Sequence, residues 1–306
     1  MLTLMSSMMM SALGLWLGFG ALAALIYRSI GRRLQAIDPA QASLLLLAWM
    51  TLPLFAALLT TYVLYSPDVA QWLVVGHCHA NTCSQHGPQS SLAIIPMALL
   101  VMWTAYRLCS CVIRQWLPAQ RLYQQLYHMG DDTGEFMRLG TTAPIAFTLG
   151  GLRPKVFISA GMLSACSSED IDCILRHEHA HRERHDNLRI MVGRFLIAPF
   201  PRRWSEPLLH DLKLCCEMAC DMRAAADSSR DKVAAALLRV ARVQQQAAPS
   251  GSLAFAGNAT EQRILALLNA PLSPLANELV FATVTGTLLI VLVLINPLHR
   301  AIELIP

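Results

Sequence analysis

The chain has 306 residues, of which 55% are hydrophobic and only 14% are charged, whereas a water-soluble domain carries about 25% charged residues. Its formal net charge of +4 is too small for the concentrated basic face of a nucleic-acid binder, so no direct nucleic-acid partner is expected. The composition argues against an ordinary soluble enzyme and leaves room for several membrane spans plus one domain of roughly 150 residues.

In chain order, four apolar stretches reach or approach the roughly 20 helical residues that cross a hydrocarbon core of about 30 Å. They cover residues 4–27, 43–65, 91–106 (extending towards 113) and 279–295. Pro53 and Pro96 fall inside the second and third, which membrane helices tolerate. Arg28, Arg32 and Arg33 follow the first stretch, and no Lys or Arg lies between residues 66 and 90. Twenty of the 24 basic residues fall between Arg107 and Asn277. Basic residues near span ends mark the cytosolic side. The expected organisation is therefore three spans in residues 1–116 with an outer loop at 66–90, a cytosolic domain at 117–277, and a fourth span with a short tail at 278–306. Both termini then lie outside. The first stretch has no positive charge before it, so it reads as a retained span rather than a cleaved signal.

Seven of the nine cysteines (109, 111, 166, 173, 215, 216 and 220) fall on the reducing side or its boundary, where thiols are expected. Cys78 and Cys83 are alone in the outer loop; a disulfide between them, or an inert loop, is favoured over a metal cluster with His77, His79 and His86.

The cytosolic block opens with a loop signal at residues 130–134. Two short strands follow, at 145–148 and 155–158, around Gly150-Gly151 and Pro154. The edge of this hairpin, at Val156, Phe157 and Ile158, is read as a place where an extended substrate strand adds on. Ser167, Glu169 and Asp170 then supply a cap and an acidic first turn. Ile171, Ile174 and Leu175 give an apolar face, in a pattern that runs to about Ile197 before Pro199 and Pro201. Further helices are expected from after Pro207 to Ala226, over 231–246 with Val233, Leu237 and Ala241 on one face, and over 260–269. Residues 245–258 read as a loop.

The chemistry concentrates at His177-Glu178-His179-Ala180-His181. Histidines at i and i+4 project from one helix face and can hold one zinc ion. Glu178, next to the first, can take a proton from water and return it to a leaving amine. A shuffle of this composition produces such a motif about 0.01 times. A third ligand must come from the acids nearby: Glu183, Asp186, Glu206, Glu217 and Asp221. Glu183 points elsewhere on the helix, and Asp186 suits a group behind a ligand. Glu217 lies mid-helix in an element that the proline break lets fold back. Asp221 shares its face and can accept a hydrogen bond from a ligating ring.

The run His177-Glu178-x-Ala180-His181-x-x-Arg184-x-Asp186, followed by Glu217-Met218-Ala219-Cys220-Asp221, resembles the BlaR/MecR-type antirepressor membrane metallopeptidases. The stretch 144–158, with Gly150, Pro154 and Val156-Phe157-Ile158, is similar to the segment those proteins carry before their zinc helix. The order of three spans, zinc domain and fourth span matches too. The resemblance implies a membrane α-helical protein with four transmembrane helices and an inserted, mainly α, α+β gluzincin-like cytosolic domain. It implies one Zn2+ held by His177, His181 and Glu217, with Glu178 as base. It also implies residence in the bacterial cytoplasmic membrane and a protein substrate: a winged-helix repressor or the protease itself. About eleven residues follow the last stretch, so sensing through an appended penicillin-binding domain is not expected.

His179 and His185 read as surface residues. Arg176, Arg182, Arg184, Arg189, Arg194, Arg202 and Arg203 read as a solvated face near anionic lipid. No residue stands out as stabilising an oxyanion; His210 and Arg223 are the nearest guesses. The rival readings are a membrane quality-control protease and a non-catalytic signalling scaffold.

Overall fold

A computed structural model describes residues 2–34, 37–66, 91–226, 228–247 and 256–269, with a few isolated positions between 285 and 297. The expected outer loop, with Cys78 and Cys83, and most of the expected fourth span lie outside the described residues.

The first two apolar stretches form helices α1 (Leu2–Leu34) and α2 (Pro39–Tyr65). Asp38 caps α2 by accepting from the Gln41 amide at 3.1 Å, and Pro39 opens the helix where no amide hydrogen is needed. Within these helices, Ser7–Ser29 and Pro39–Tyr65 are long and apolar enough to cross a membrane. Leu22, Leu25, Phe55, Leu58 and Tyr62 stand exposed on them, as side chains facing lipid do. The third stretch forms α3 (Ser91–Cys111), which continues through a π-helical turn (Val112–Trp116) into α4 (Leu117–Met129). The boundary expected after residue 116 thus falls inside an unbroken helical run, with Cys111, Trp116 and Leu117 all in αR backbone.

Four strands follow: β1 (Asp131–Asp132), β2 (Met137–Leu139), β3 (Ala146–Leu149) and β4 (Lys155–Ser159), in the order β1-β2-β4-β3. The expected hairpin forms, with β3 antiparallel to β4 and Phe147 opposite Phe157. Gly150 turns the chain at φ +104°, where an added Cβ would lie 2.9 Å from the Arg153 carbonyl oxygen; glycine meets that demand without strain.

One expectation fails here. Val156, Phe157 and Ile158 do not offer a free edge. Strand β2 pairs in parallel with the other side of β4, Met137 opposite Phe157 and Arg138 opposite Ile158, and all three side chains are buried. Three residues of β2 are too few to announce a strand by alternation, yet they close that edge. Among the described residues the open edge on the β4 side of the sheet belongs to β3. Phe157 packs between Phe147, at 5.5 Å between ring centroids, and Tyr123 of α4, at 6.4 Å. Aromatic pairs of this kind add about 0.5–1.5 kcal/mol each beyond area burial.

Behind the sheet lie α5 (Ala160–Ala165) and α6 (Ser168–Arg184). The cap is as expected: the Ser167 hydroxyl oxygen accepts from the Asp170 amide at 3.2 Å and donates to its carboxylate at 2.8 Å. Ile171, Ile174 and Leu175 pack on Val156, Ile158 and Met162. The helix does not run on to Ile197. His185 adopts the left-handed conformation (φ 55°, ψ 41°) and ends it, and α7 (Asp186–Ile197) begins. A polar residue that visits this conformation was not marked by any Gly or Pro, so the break left no sequence signal.

Helix α8 (Arg202–Ala226) starts before Pro207 rather than after it, with Pro207 inside. Then come α9 (Arg230–Ala247) and α10 (Ala256–Leu268). The proline-rich link between α7 and α8 is a packing junction. Arg107 donates to the Ala198 carbonyl at 2.8 Å and Trp103 to that of Pro199 at 3.1 Å. Phe200 packs edge-on against Trp16 of α1 over Gly20, where a Cβ would fall 2.1 Å from its ring. Beneath it, Leu46 and Met50 of α2 and Leu212 and Cys216 of α8 share one core.

Helix α9 is tied to the start of α6 by Arg239, which donates from Nε to the buried Asp170 carboxylate at 2.9 Å. That hydrogen bond holds the Asp170 carboxyl below its ordinary range. A depressed carboxyl contributes stability above its unfolded pKa of about 3.9, and the contribution is lost as pH falls through the folded value. Arg239 is half exposed, so an Arg239→Met variant is expected to lose about 1–2 kcal/mol at neutral pH. The gap from the wild-type melting temperature should close below about pH 4, which thermal unfolding across pH will measure.

Candidate active site

The turn of α6 at residues 177–181 faces the middle of α8, and the i, i+4 spacing brings both imidazoles to one point. His177 Nε2 and His181 Nε2 lie 3.1 Å apart. Glu217 of α8 faces both, with Oε2 at 3.5 Å from His177 Nε2 and Oε1 at 3.6 Å from His181 Nε2. The proline junction folds α8 back as anticipated, and the three residues form a group able to hold a metal ion.

The far side of each ring is pinned. His177 Nδ1 lies 2.9 Å from Asp221 Oδ1 and His181 Nδ1 3.0 Å from Asp186 Oδ2. An ionised carboxylate can only accept, so each Nδ1 carries a proton, and each inward-facing Nε2 is left to hold either a second proton or a metal ion. Two lone pairs and a carboxylate converging without a cation repel one another. The arrangement therefore calls for a positive charge among them. Burial opposes charging His177 and His181, but hydrogen bonds to Asp221, Asp186 and Glu217 outweigh it and raise both. Burial likewise works to raise Glu217, yet the two rings and Arg263 hold it well below the usual carboxylate range.

Asp186 reaches His181 only because the chain breaks at His185. Five residues along a continuous helix would put it about 140° around the axis from His181.

Glu178 is buried beside the rings on the β3 side. The Thr148 hydroxyl contacts its Oε2 at 2.8 Å and its backbone carbonyl at 2.9 Å. The Asn187 side chain donates to the Thr148 carbonyl at 2.8 Å, fixing β3 against the start of α7.

Sequence reasoning missed Arg263. From α10 it grips Asp221 with a two-pronged pair, Nε and Nη2 each at 2.7 Å, and reaches Glu217 Oε2 from Nη1 at 3.1 Å. Its only sequence signal was an arginine at the start of the apolar half of a helix late in the chain, with no spacing to link it to Asp221. The guesses at His210 and Arg223 fall outside the site; both are exposed and neither lines its cavity. His179 turns towards the Glu135 carbonyl instead, at 3.3 Å. The arginine run is only partly a solvated face. Arg184 and Arg189 turn inward to Asp186, at 3.2 and 3.6 Å, because that buried carboxylate needs countercharge.

The seven cysteines of the described residues are free thiols. Burial pushes the Cys215 thiol up to about 12 and raises Cys216 and Cys220 as well. Cys215 and Cys216 pack in the apolar core, whereas the Cys220 thiol donates to Asp186 Oδ2 at 3.3 Å.

The cavity over the site, about 330 Å³, is lined on one side by His177, Glu178, His181 and Glu217 and on the other by Ile174, Val233, Leu237 and Val240. A protein-family model described as BlaR1 peptidase M56 matches residues 92–267, over half of the chain. The chain belongs to this family. No curated protein and no solved structure matches it. The matched segment holds the complete cluster and ends at α10, so Arg263 is part of it. Membership of a peptidase family, with two helices apolar enough to cross a bilayer, points to a membrane-associated metallopeptidase.

Removing Arg263 from this M56 site leaves Glu217 and Asp221 facing each other without their shared cation. An Arg263→Met variant is expected to lose about 3–5 kcal/mol. Adding Asp221→Asn should return part of it, since an amide still accepts from His177. Thermal unfolding of the two single variants and the double variant, in chelator, gives the coupling.

Proposed function

We propose that this chain is a zinc endopeptidase that cuts a cytosolic or membrane-proximal protein, with His177, His181 and Glu217 as zinc ligands and Glu178 as general base. The observation that carries the reading is the convergence of two Nε2 atoms 3.1 Å apart with the Glu217 carboxylate, whose Oε2 lies 3.5 Å from His177 Nε2 and whose Oε1 lies 3.6 Å from His181 Nε2. Ligands at 2.0–2.1 Å in tetrahedral array stand about 3.3 Å from one another. Two imidazoles and one carboxylate, with a fourth position open, are the donor set of hydrolytic zinc. Asp221 and Asp186 supply the carboxylates that orient ligating rings.

When bound, zinc supplies Lewis acidity, making water more acidic and the scissile carbonyl more electrophilic. Glu178 takes the proton of the attacking water on the oxygen that Thr148 does not hold, and delivers it to the leaving amine. Thr148 keeps the carboxylate from turning away. The open side of β3 gives an extended peptide a strand to pair with. Asn187 occupies the Thr148 carbonyl, so pairing is expected along the Ala146–Phe147 end. Both residues line the cavity.

The positive-inside pattern supports a cytosolic site, with residues 117–277 inside the cell and both termini outside. The family's description as a peptidase supports proteolysis, and the resemblance to antirepressor proteases makes a winged-helix repressor or the protease itself our candidate substrate.

A Glu178→Gln variant is expected to keep one zinc per chain and lose activity by about 10²–10⁴-fold. Glu217→Ala should lose the metal. Metal analysis of both variants, with a quenched-peptide assay, checks this. Retention of cleavage by Glu178→Gln would remove it as the base, and unchanged cellular function without cleavage would favour a scaffold.

A further inference from the structure

We infer that Ser43, Arg184 and Asp186 form a hydrogen-bonded link through which the position of membrane helix α2 sets the orientation of the His181 ring. The inference rests on the zinc-peptidase reading above for what lies at His181 Nε2.

Ser43 is fully buried one turn into α2. Its hydroxyl donates to the Ala40 carbonyl at 2.8 Å, which leaves the oxygen free to accept. It does so twice, from Arg184 Nη2 at 3.0 Å and from Arg189 Nη1 at 3.3 Å. The same Arg184 guanidinium reaches Asp186 Oδ2 with Nε at 3.2 Å, and that oxygen receives His181 Nδ1 at 3.0 Å. Membrane helix and candidate ligand are thus joined by one hydroxyl, one planar guanidinium and one carboxylate.

Two features make this a positioning link rather than incidental packing. First, Asp186 is held through one oxygen. Oδ2 serves Arg184, His181 and Cys220, whereas Oδ1 is buried with no hydrogen-bond partner among the described residues, with Arg189 at 3.6 Å. Where Oδ2 sits therefore decides where the ring is held. Second, the surrounding helices lie close together. At Gly193 of α7 an added Cβ would lie 2.9 Å from the side-chain ends of both Met50 of α2 and Leu212 of α8, so a displacement of α2 is felt by both neighbours. Groups behind a metal ligand typically change affinity 10–100-fold when altered. Ser43 acts one step further out, at the low end.

The test uses the full chain in detergent, loaded with Co2+ as the probe. Ser43→Ala is expected to weaken Co2+ binding about tenfold and to alter its visible absorption. It should also lower kcat on a peptide with KM unchanged. Thr51→Ala, which removes an exposed α2 hydroxyl that donates to the Ala48 carbonyl within its own helix, should leave all three as in wild type. In vesicles of short-chain and long-chain phosphatidylcholine, which change helix tilt, the wild-type Co2+ spectrum should differ between the two and the Ser43→Ala spectrum should not. If Ser43→Ala does not fold, Arg184→Lys takes its place; it keeps the charge but loses the fork that reaches Ser43 and Asp186 together. A folded variant with wild-type affinity and spectrum overturns the inference alone, as does a wild-type spectrum indifferent to bilayer thickness. Failure of the wild type to take up Co2+ overturns the zinc reading and this inference with it.

Discussion

The structure depends on two imidazoles held with their Nε2 atoms facing the same carboxylate. Neither ring is free to turn, because Asp221 and Asp186 each hold an Nδ1. The centre needs positive charge, from protons on the rings or from a metal ion, to offset three carboxylates in a half-buried place. Much of what surrounds it answers that charge problem. Arg263 neutralises Glu217 and Asp221 from one side, and Arg184 and Arg189 approach Asp186 from the other. Remote helices are recruited because buried carboxylates cannot be left without countercharge.

Helix α8 carries the consequences through the molecule. Its first half packs Leu208, Leu212 and Cys216 on α2. Its middle brings Glu217 and Asp221 to the histidines, and its end buries Ala224 and Ala225 against Val233 of α9 and Leu267 of α10. One rigid element thus touches the membrane helices, the candidate metal centre and the helix that bears Arg263. The small thiols at 215, 216 and 220 let it pack closely on all sides. Together with the short path from Ser43 to His181, this ties the candidate site closely to α1 and α2.

The cavity joins two kinds of surface. Its polar wall comes from α6 and α8, and its apolar wall from α9, where Val233, Leu237 and Val240 line the space. The open edge of β3 borders both, so a bound strand would lie with its backbone by Glu178 and a side chain against the apolar wall. The hairpin was legible in the sequence, but which of its strands lay at the edge was not.

What the sequence determined by itself was local. Helical periodicity puts residues four apart on one face, so His177, Glu178 and His181 could be placed together with no knowledge of the fold. The cap at Ser167, the turn at Gly150 and the apolar lengths of α1 and α2 are of the same kind, each set within a few residues of chain. Other features were decided only in three dimensions. The left-handed turn at His185 brings Asp186 under His181. Strand β2 hides Val156, Phe157 and Ile158, and Arg263 meets Asp221 from 42 residues away. Each depends on burial and countercharge between segments with no fixed spacing, and a linear pattern carries no record of that until packing brings them into contact.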